Sequence, residues 1–139
     1  MIQRIQSIWL FLAAVCATLS FKFPFYSGNK IEKENLPSLE KFTASSNFIL
    51  LVLTVILIVE IVATIFMYKN RKQQLWLTVT SVIVSFINLV IYFTQIKNYS
   101  NGTLSFTAIL VFAIPVLLIL AVRGIWKDEK LVKSLDRIR

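Results

Sequence analysis

Glu60 is the residue in this sequence whose chemistry asks for an explanation. It lies in VILIVEIVATIF, residues 55–66, and no other carboxylate occurs between Glu40 and Asp128. An ionised carboxylate in an apolar helix is costly unless a cation or hydrogen-bond donors meet it, so it is either protonated or partnered. Three roles suit such a group: a structural lock, a contact with a partner subunit, or proton or cation coupling. The sequence offers Thr80, Ser81 and Ser85 as donors at similar depth on a neighbouring apolar block, and Arg123, about one turn shallower, as a cation with a side chain long enough to reach down. A Glu60–Arg123 or Glu60–serine lock is the expected arrangement.

A second constellation runs through 75–96. Thr78, Ser81, Ser85, Asn88, Tyr92 and Gln95 are spaced 3, 4, 3, 4 and 3, which keeps all six on one face of a helix. Small and hydroxylated residues let helices approach closely in lipid and hydrogen-bond across the interface. A packing seam is therefore expected. A polar pathway would need matching polar faces on other segments, and Ala14, Ala17 and the alanines of 104–122 offer close-packing faces instead.

What is missing narrows the chemistry. Histidine is absent and Cys16 is the only cysteine. That excludes a His-ligated haem, a thiol pair and a Cys/His zinc site. One carboxylate without a histidine or a second acid supports little acid–base catalysis. No catalytic residue, metal or cofactor is expected.

The elements that hold these residues are written in the composition. Of 139 residues, 57% are hydrophobic and 16% charged, whereas a soluble domain carries roughly a quarter charged residues. The charge lies outside four apolar blocks, which predict membrane spans at about 5–22, 47–68, 75–96 and 104–126. The basic start of the first block also suits a secretory signal. LAAVC approaches an acylation box, but Val15 is bulky where that box takes a small residue. Pro115 removes a backbone donor in the fourth block and predicts a kink.

Orientation follows from the basic residues of short loops. Arg4, Lys69, Arg71, Lys72, Arg123, Lys127, Lys130, Lys133, Arg137 and Arg139 fall on one side. Lys22, Lys30, Lys33, Lys41 and Lys97 fall on the other, diluted by three glutamates. Both termini are expected in the cytoplasm. The net charge of +8 is explained by this asymmetry, and no aromatic-basic groove points to nucleic acid.

In the outer loop, 24–45, LPSLEKF reads as the start of a short interfacial helix, and FPFY (23–26) as an interfacial ring cluster. KNYSNGT reads as a tight turn through Asn101-Gly102. The sequons at Asn98 and Asn101 fall there too and matter only in a glycosylating membrane. In the tail, 127–139, Leu131, Leu135 and Ile138 form an apolar stripe beside basic residues. That pattern predicts a short amphipathic helix, lying on anionic lipid or docking a partner through Arg4, Leu131, Leu135, Arg137 and Ile138.

Two resemblances add to this reading. MIQRIQSIWLFLAA and DEKLVKSLDRIR resemble the ends of a family of small four-span inner-membrane proteins from Bacteroidota. That resemblance implies lineage and location without an activity. EIVATIFM (60–67) resembles the glutamate-bearing helix of small multidrug-resistance transporters, which implies proton and cation binding at Glu60. Those transporters carry their glutamate in the first span, whereas Glu60 is in the second.

The expected fold is an all-α membrane protein: a four-helix transmembrane bundle with both termini inside and a short amphipathic C-terminal helix. The expected role is a non-catalytic accessory or scaffolding subunit of a bacterial inner-membrane complex, with membrane lipids and other subunits as partners. A small Glu60-dependent transporter is the alternative. The expected intramembrane polar or interface residues are Glu60, Arg123, Ser81, Ser85 and Asn88.

Overall fold

The computed structural model describes residues 2–30, 39–67 and 70–136. Four helices and three strands follow one another as α1 (Ile2–Leu19), β1 (Tyr26–Lys30), β2 (Leu39–Phe42), α2 (Phe48–Phe66), α3 (Arg71–Ile96), β3 (Tyr99–Leu104) and α4 (Ala108–Asp136). The chain is mostly helical, as its apolar blocks predict.

Local signals set the helix limits. Asn47 caps α2, its side-chain oxygen accepting from the Ile49 amide at 3.0 Å. Asn70 precedes α3 three residues beyond Met67, the described end of the previous segment, so α2 and α3 form a tight antiparallel hairpin. α4 runs without interruption from Ala108 to Asp136. The separate tail helix expected at 127–139 is thus corrected: among the described residues no break follows Arg123, and α4 carries on through Asp136. Arg137 and Ile138 lie outside the described residues, as do the side chains of Arg4 and Leu135.

Each helix packs on its chain neighbours, and α1 closes the ring against α4, which is the most extensive of these contacts. Leu10, Ala13 and Ala17 of α1 meet Leu57 and Ile61 of α2 and Ile114, Leu118 and Ala121 of α4 in one core. Alanines at the α1 contact allow the close approach. Gly124 extends it: a Cβ there would stand 2.9 Å from Cγ of Gln6, which is itself buried.

A small sheet is the part of the fold that the all-α expectation missed. The strand order is β2-β1-β3, all antiparallel. It sits where α1 and α3 end and α2 and α4 begin, so it ties together the connections at one end of the helices. Leu39–Phe42, expected in an interfacial helix, is β2, with the rest of LPSLEKF outside the described residues. Asn101-Gly102, expected to turn the chain, lies within β3, opposite an irregularity between Ser27 and Asn29. Two glycines make that crossing possible. A Cβ on Gly102 would lie 2.5 Å from the Ser27 carbonyl and 2.7 Å from Gly28 Cα.

Aromatic rings join the sheet to the helices. The Phe25 and Tyr92 ring centroids are 4.5 Å apart, Phe42 and Tyr92 5.7 Å, and Phe42 and Tyr99 5.4 Å. Of the FPFY cluster expected at an interface, Phe25 and Tyr26 are core residues and only Phe23 is exposed. Such rings favour tilted and edge-on contacts, which is how these three pairs meet.

Candidate functional site: a polar seam and an unanswered carboxylate

The spacing that marked α3 produces one inward face. Thr78, Ser81, Ser85, Asn88 and Tyr92 are all buried, and Gln95 is half-buried. Gln74, four residues before Thr78, extends the same face and is also buried. It fits the same spacing, one step before the stretch 75–96 in which the seam is expected.

Across this seam α2 contributes Thr54 and Thr64, both buried. The Asn88 amide donates to Thr54 Oγ1 at 3.2 Å, and that hydroxyl donates in turn to the Leu50 carbonyl at 2.7 Å. Nearer the other end, Gln74 Nε2 donates to the Thr64 carbonyl at 3.3 Å. These two bonds join α2 to α3 where apolar packing alone would leave the register of the helices weakly specified.

The serine and threonine hydroxyls of α3 turn to carbonyls of their own helix. Thr78 donates to Gln74 O at 2.7 Å, Ser81 to Leu77 O at 2.9 Å, and Ser85 to Val82 O at 2.7 Å. Thr80 does the same with Leu77 O at 2.8 Å. A hydroxyl that bonds back to a carbonyl one turn earlier satisfies itself without a partner helix.

Glu60 therefore finds none of the donors expected for it. Its Oε2 is buried and has no hydrogen-bond partner among the described residues. The backbone carbonyl of Glu60 accepts from Thr64 at 2.7 Å, but that bond does nothing for the side chain. Arg123 is exposed, and the expected Glu60–Arg123 and Glu60–serine pairs are replaced by the bonds given above. Asn88 of α3 shares one trait with Glu60 of α2: each keeps a buried oxygen without a donor, as Asn88 Oδ1 also has none.

The ion pair between helices forms elsewhere. Arg71, at the first position of α3, meets Asp128 of α4 at 3.1 Å, and the same guanidinium nitrogen lies 3.5 Å from the Asp128 carbonyl. Both side chains are partly buried, so this pair closes the end of the helices opposite the sheet. Nothing in the linear sequence linked residues so far apart, and only the antiparallel return of α4 brings them together. On the extension of α4, Lys133 pairs with Glu129 at 2.7 Å, while Leu131 is exposed. Among the described residues, no cluster of three or more His, Cys, Asp or Glu side chains could hold a metal ion.

Three helices, Phe48–Phe66, Arg71–Ile96 and the Ala108–Ser134 stretch of α4, are long and apolar enough to cross a membrane, and Ile5–Leu19 is a shorter apolar helix. Their lipid-length apolar surfaces and the interior polar seam define a helical membrane protein. The chain belongs to the family described as a domain of unknown function, DUF4293, whose model matches residues 2–138. No curated protein and no solved structure matches it significantly.

Proposed function

We propose that this chain is a non-catalytic accessory or scaffolding subunit of a bacterial inner-membrane complex, spanning four times with both termini in the cytoplasm. On this topology the sheet faces outward and the Arg71–Asp128 pair lies at the cytoplasmic border. The observation that carries the reading is the state of the α3 seam. Its serine and threonine hydroxyls are committed to backbone carbonyls, and Thr78 and Ser81 are 0% exposed. A transport pathway needs polar groups that water and substrate can reach. A buried face whose small hydroxyls are bonded to its own backbone favours fixed packing of the helices.

The charge asymmetry of the loops supports the orientation, since ten of fifteen basic residues fall on the side assigned to the cytoplasm. The small α1 is completed as a span by packing on α4, the most extensive of the helix contacts. In this reading the half-buried Glu60 side chain lies at the edge of the packed helices, where a neighbouring subunit meets them, while its Oε2 is turned inward.

One observation favours a second reading. A buried carboxylate oxygen without a donor also suits reversible binding of a proton or small cation, as in a coupled transporter. The two readings separate at Glu60. Purification of the full chain under mild detergent, followed by identification of co-purifying proteins, is expected to yield a defined membrane partner. Glu60→Gln should retain that partner, because an amide still hydrogen-bonds, whereas Glu60→Leu should weaken its retention. A chain that purifies alone, and whose cellular activity is abolished by the amide, would refute the scaffold in favour of coupling.

A further inference from the structure

Two grooves meet at the first turns of α3, at the end opposite the sheet. The first, of about 510 Å³, is lined by Met67 of the α2 end and by Lys72, Gln73, Trp76, Leu77 and Thr80. Its wall is almost wholly carbon, and Trp76 is 65% exposed along it. The second, of about 730 Å³, lies between this turn and the extension of α4 and is rimmed by polar and charged side chains, Arg71 and Lys133 among them. Lys72 and Gln73 line both.

The charges of the second groove are mostly answered within the protein. Arg71 is held by Asp128, and Lys133 by Glu129. Lys72 is exposed and makes no ion pair among the described residues, so it is the cation left to an outside anion. Residues 72, 76 and 80 recur every four positions and share one helix face, which runs about 12 Å along the axis from residue 72 to residue 80. A charged head at one end of an apolar channel, with an aromatic ring between, is the outline of a phospholipid.

We propose that this groove binds one anionic phospholipid, its phosphate at Lys72 and one acyl chain along Trp76 and Leu77. The occupant follows from charge and shape. A soluble anion would leave the carbon channel unfilled, and a zwitterionic lipid would bring its own cation beside Lys72. The inference rests on the reading of α2 and α3 as membrane spans.

The test uses the full chain carrying Trp9→Phe and Trp126→Phe, which leaves Trp76 as the only tryptophan. The protein is placed in phosphatidylcholine vesicles containing an equal small fraction of either bromine-labelled phosphatidylglycerol or bromine-labelled phosphatidylcholine. Bromine on the acyl chain quenches an adjacent indole. Phosphatidylglycerol is expected to associate about fivefold better, the factor one lysine supplies near an anionic surface. Lys72→Gln should bring the ratio close to unity, and Lys127→Gln, which lines neither groove, should leave it unchanged. Equal quenching by both lipids would overturn the site, as would a preference that survives Lys72→Gln. Absence of quenching by either lipid would overturn the membrane reading together with the site.

Discussion

Gly102→Ala is the sharpest available test of the sheet. The added methyl carbon would lie 2.4 Å from Cε1 of Tyr26, 2.5 Å from the Ser27 carbonyl and 2.7 Å from Gly28 Cα. Ordinary contact begins at 3.4 Å, and two of the three obstructing atoms are backbone. A side chain could rotate away, but here β1 and β3 have to part by most of an ångström. Overpacking a well-filled site costs about 1–3 kcal/mol. Displacing Tyr26 also disturbs its contact with Tyr99, with ring centroids 6.0 Å apart, and such pairs contribute about 0.5–1.5 kcal/mol. A loss of roughly 2–4 kcal/mol is expected from these two effects together. Unfolding of the detergent-solubilised chain, followed by tyrosine and tryptophan fluorescence, measures it. Gly124→Ala is the comparison, because its obstruction is the Gln6 side chain, with Cγ at 2.9 Å, and no backbone atom, so it should cost less than Gly102→Ala. Equal stability of Gly102→Ala and the unaltered chain would refute the close crossing of β1 and β3.

Three further outcomes are expected. Ser85→Leu, which enlarges a buried seam position, should destabilise the chain by about 1–3 kcal/mol in the same unfolding assay, whereas Ile83→Leu on the exposed face should be nearly neutral. Arg71→Gln should cost about 0.5–1 kcal/mol, in keeping with a partly exposed pair, and the loss should shrink at high salt while Asp128→Asn adds little to it. With Cys16 replaced by alanine, a cysteine at position 33 or 101 should react with an impermeant reagent applied to intact cells, and one at position 71 or 139 should not; labelling at 71 would invert the orientation.

The helices were legible because their signals are local. Branched and leucine-rich runs bounded by Asn47 and by the basic turn after Met67 announce α2 without reference to anything distant, and a repeat of three and four residues places Ser81 and Asn88 inward. The sheet was not legible, because Tyr26–Lys30 and Tyr99–Leu104 contain Gly28, Asn29, Asn101 and Gly102, residues that ordinarily signal turns. Their strand character comes from pairing with one another across most of the chain. LPSLEKF misled for a related reason: Leu39 and Phe42 are spaced for one helix face, but cross-strand partners outweigh that weak preference. At Glu60 the sequence identified the residue and misplaced its partners. Donor type and depth can be read along a chain, whereas the rotamer that gives Ser81 and Ser85 to their own carbonyls depends on the packing around them.

The position of β1 in the middle of the sheet has a consequence for the order of synthesis. β1 and β2 are made early and can pair as a hairpin as soon as Phe42 has emerged. The other edge of β1 stays open until β3 arrives, after the whole of α2 and α3 has been made. Through that interval β1 presents unpaired amides and carbonyls, together with Phe25 and Tyr26, whose ring neighbours Tyr92 and Tyr99 do not yet exist. Long-range pairing of this kind is slow to form. A nascent chain stalled before residue 99 therefore carries an open strand edge and bare aromatic rings, and this is the stage at which a second such chain could take the place reserved for β3.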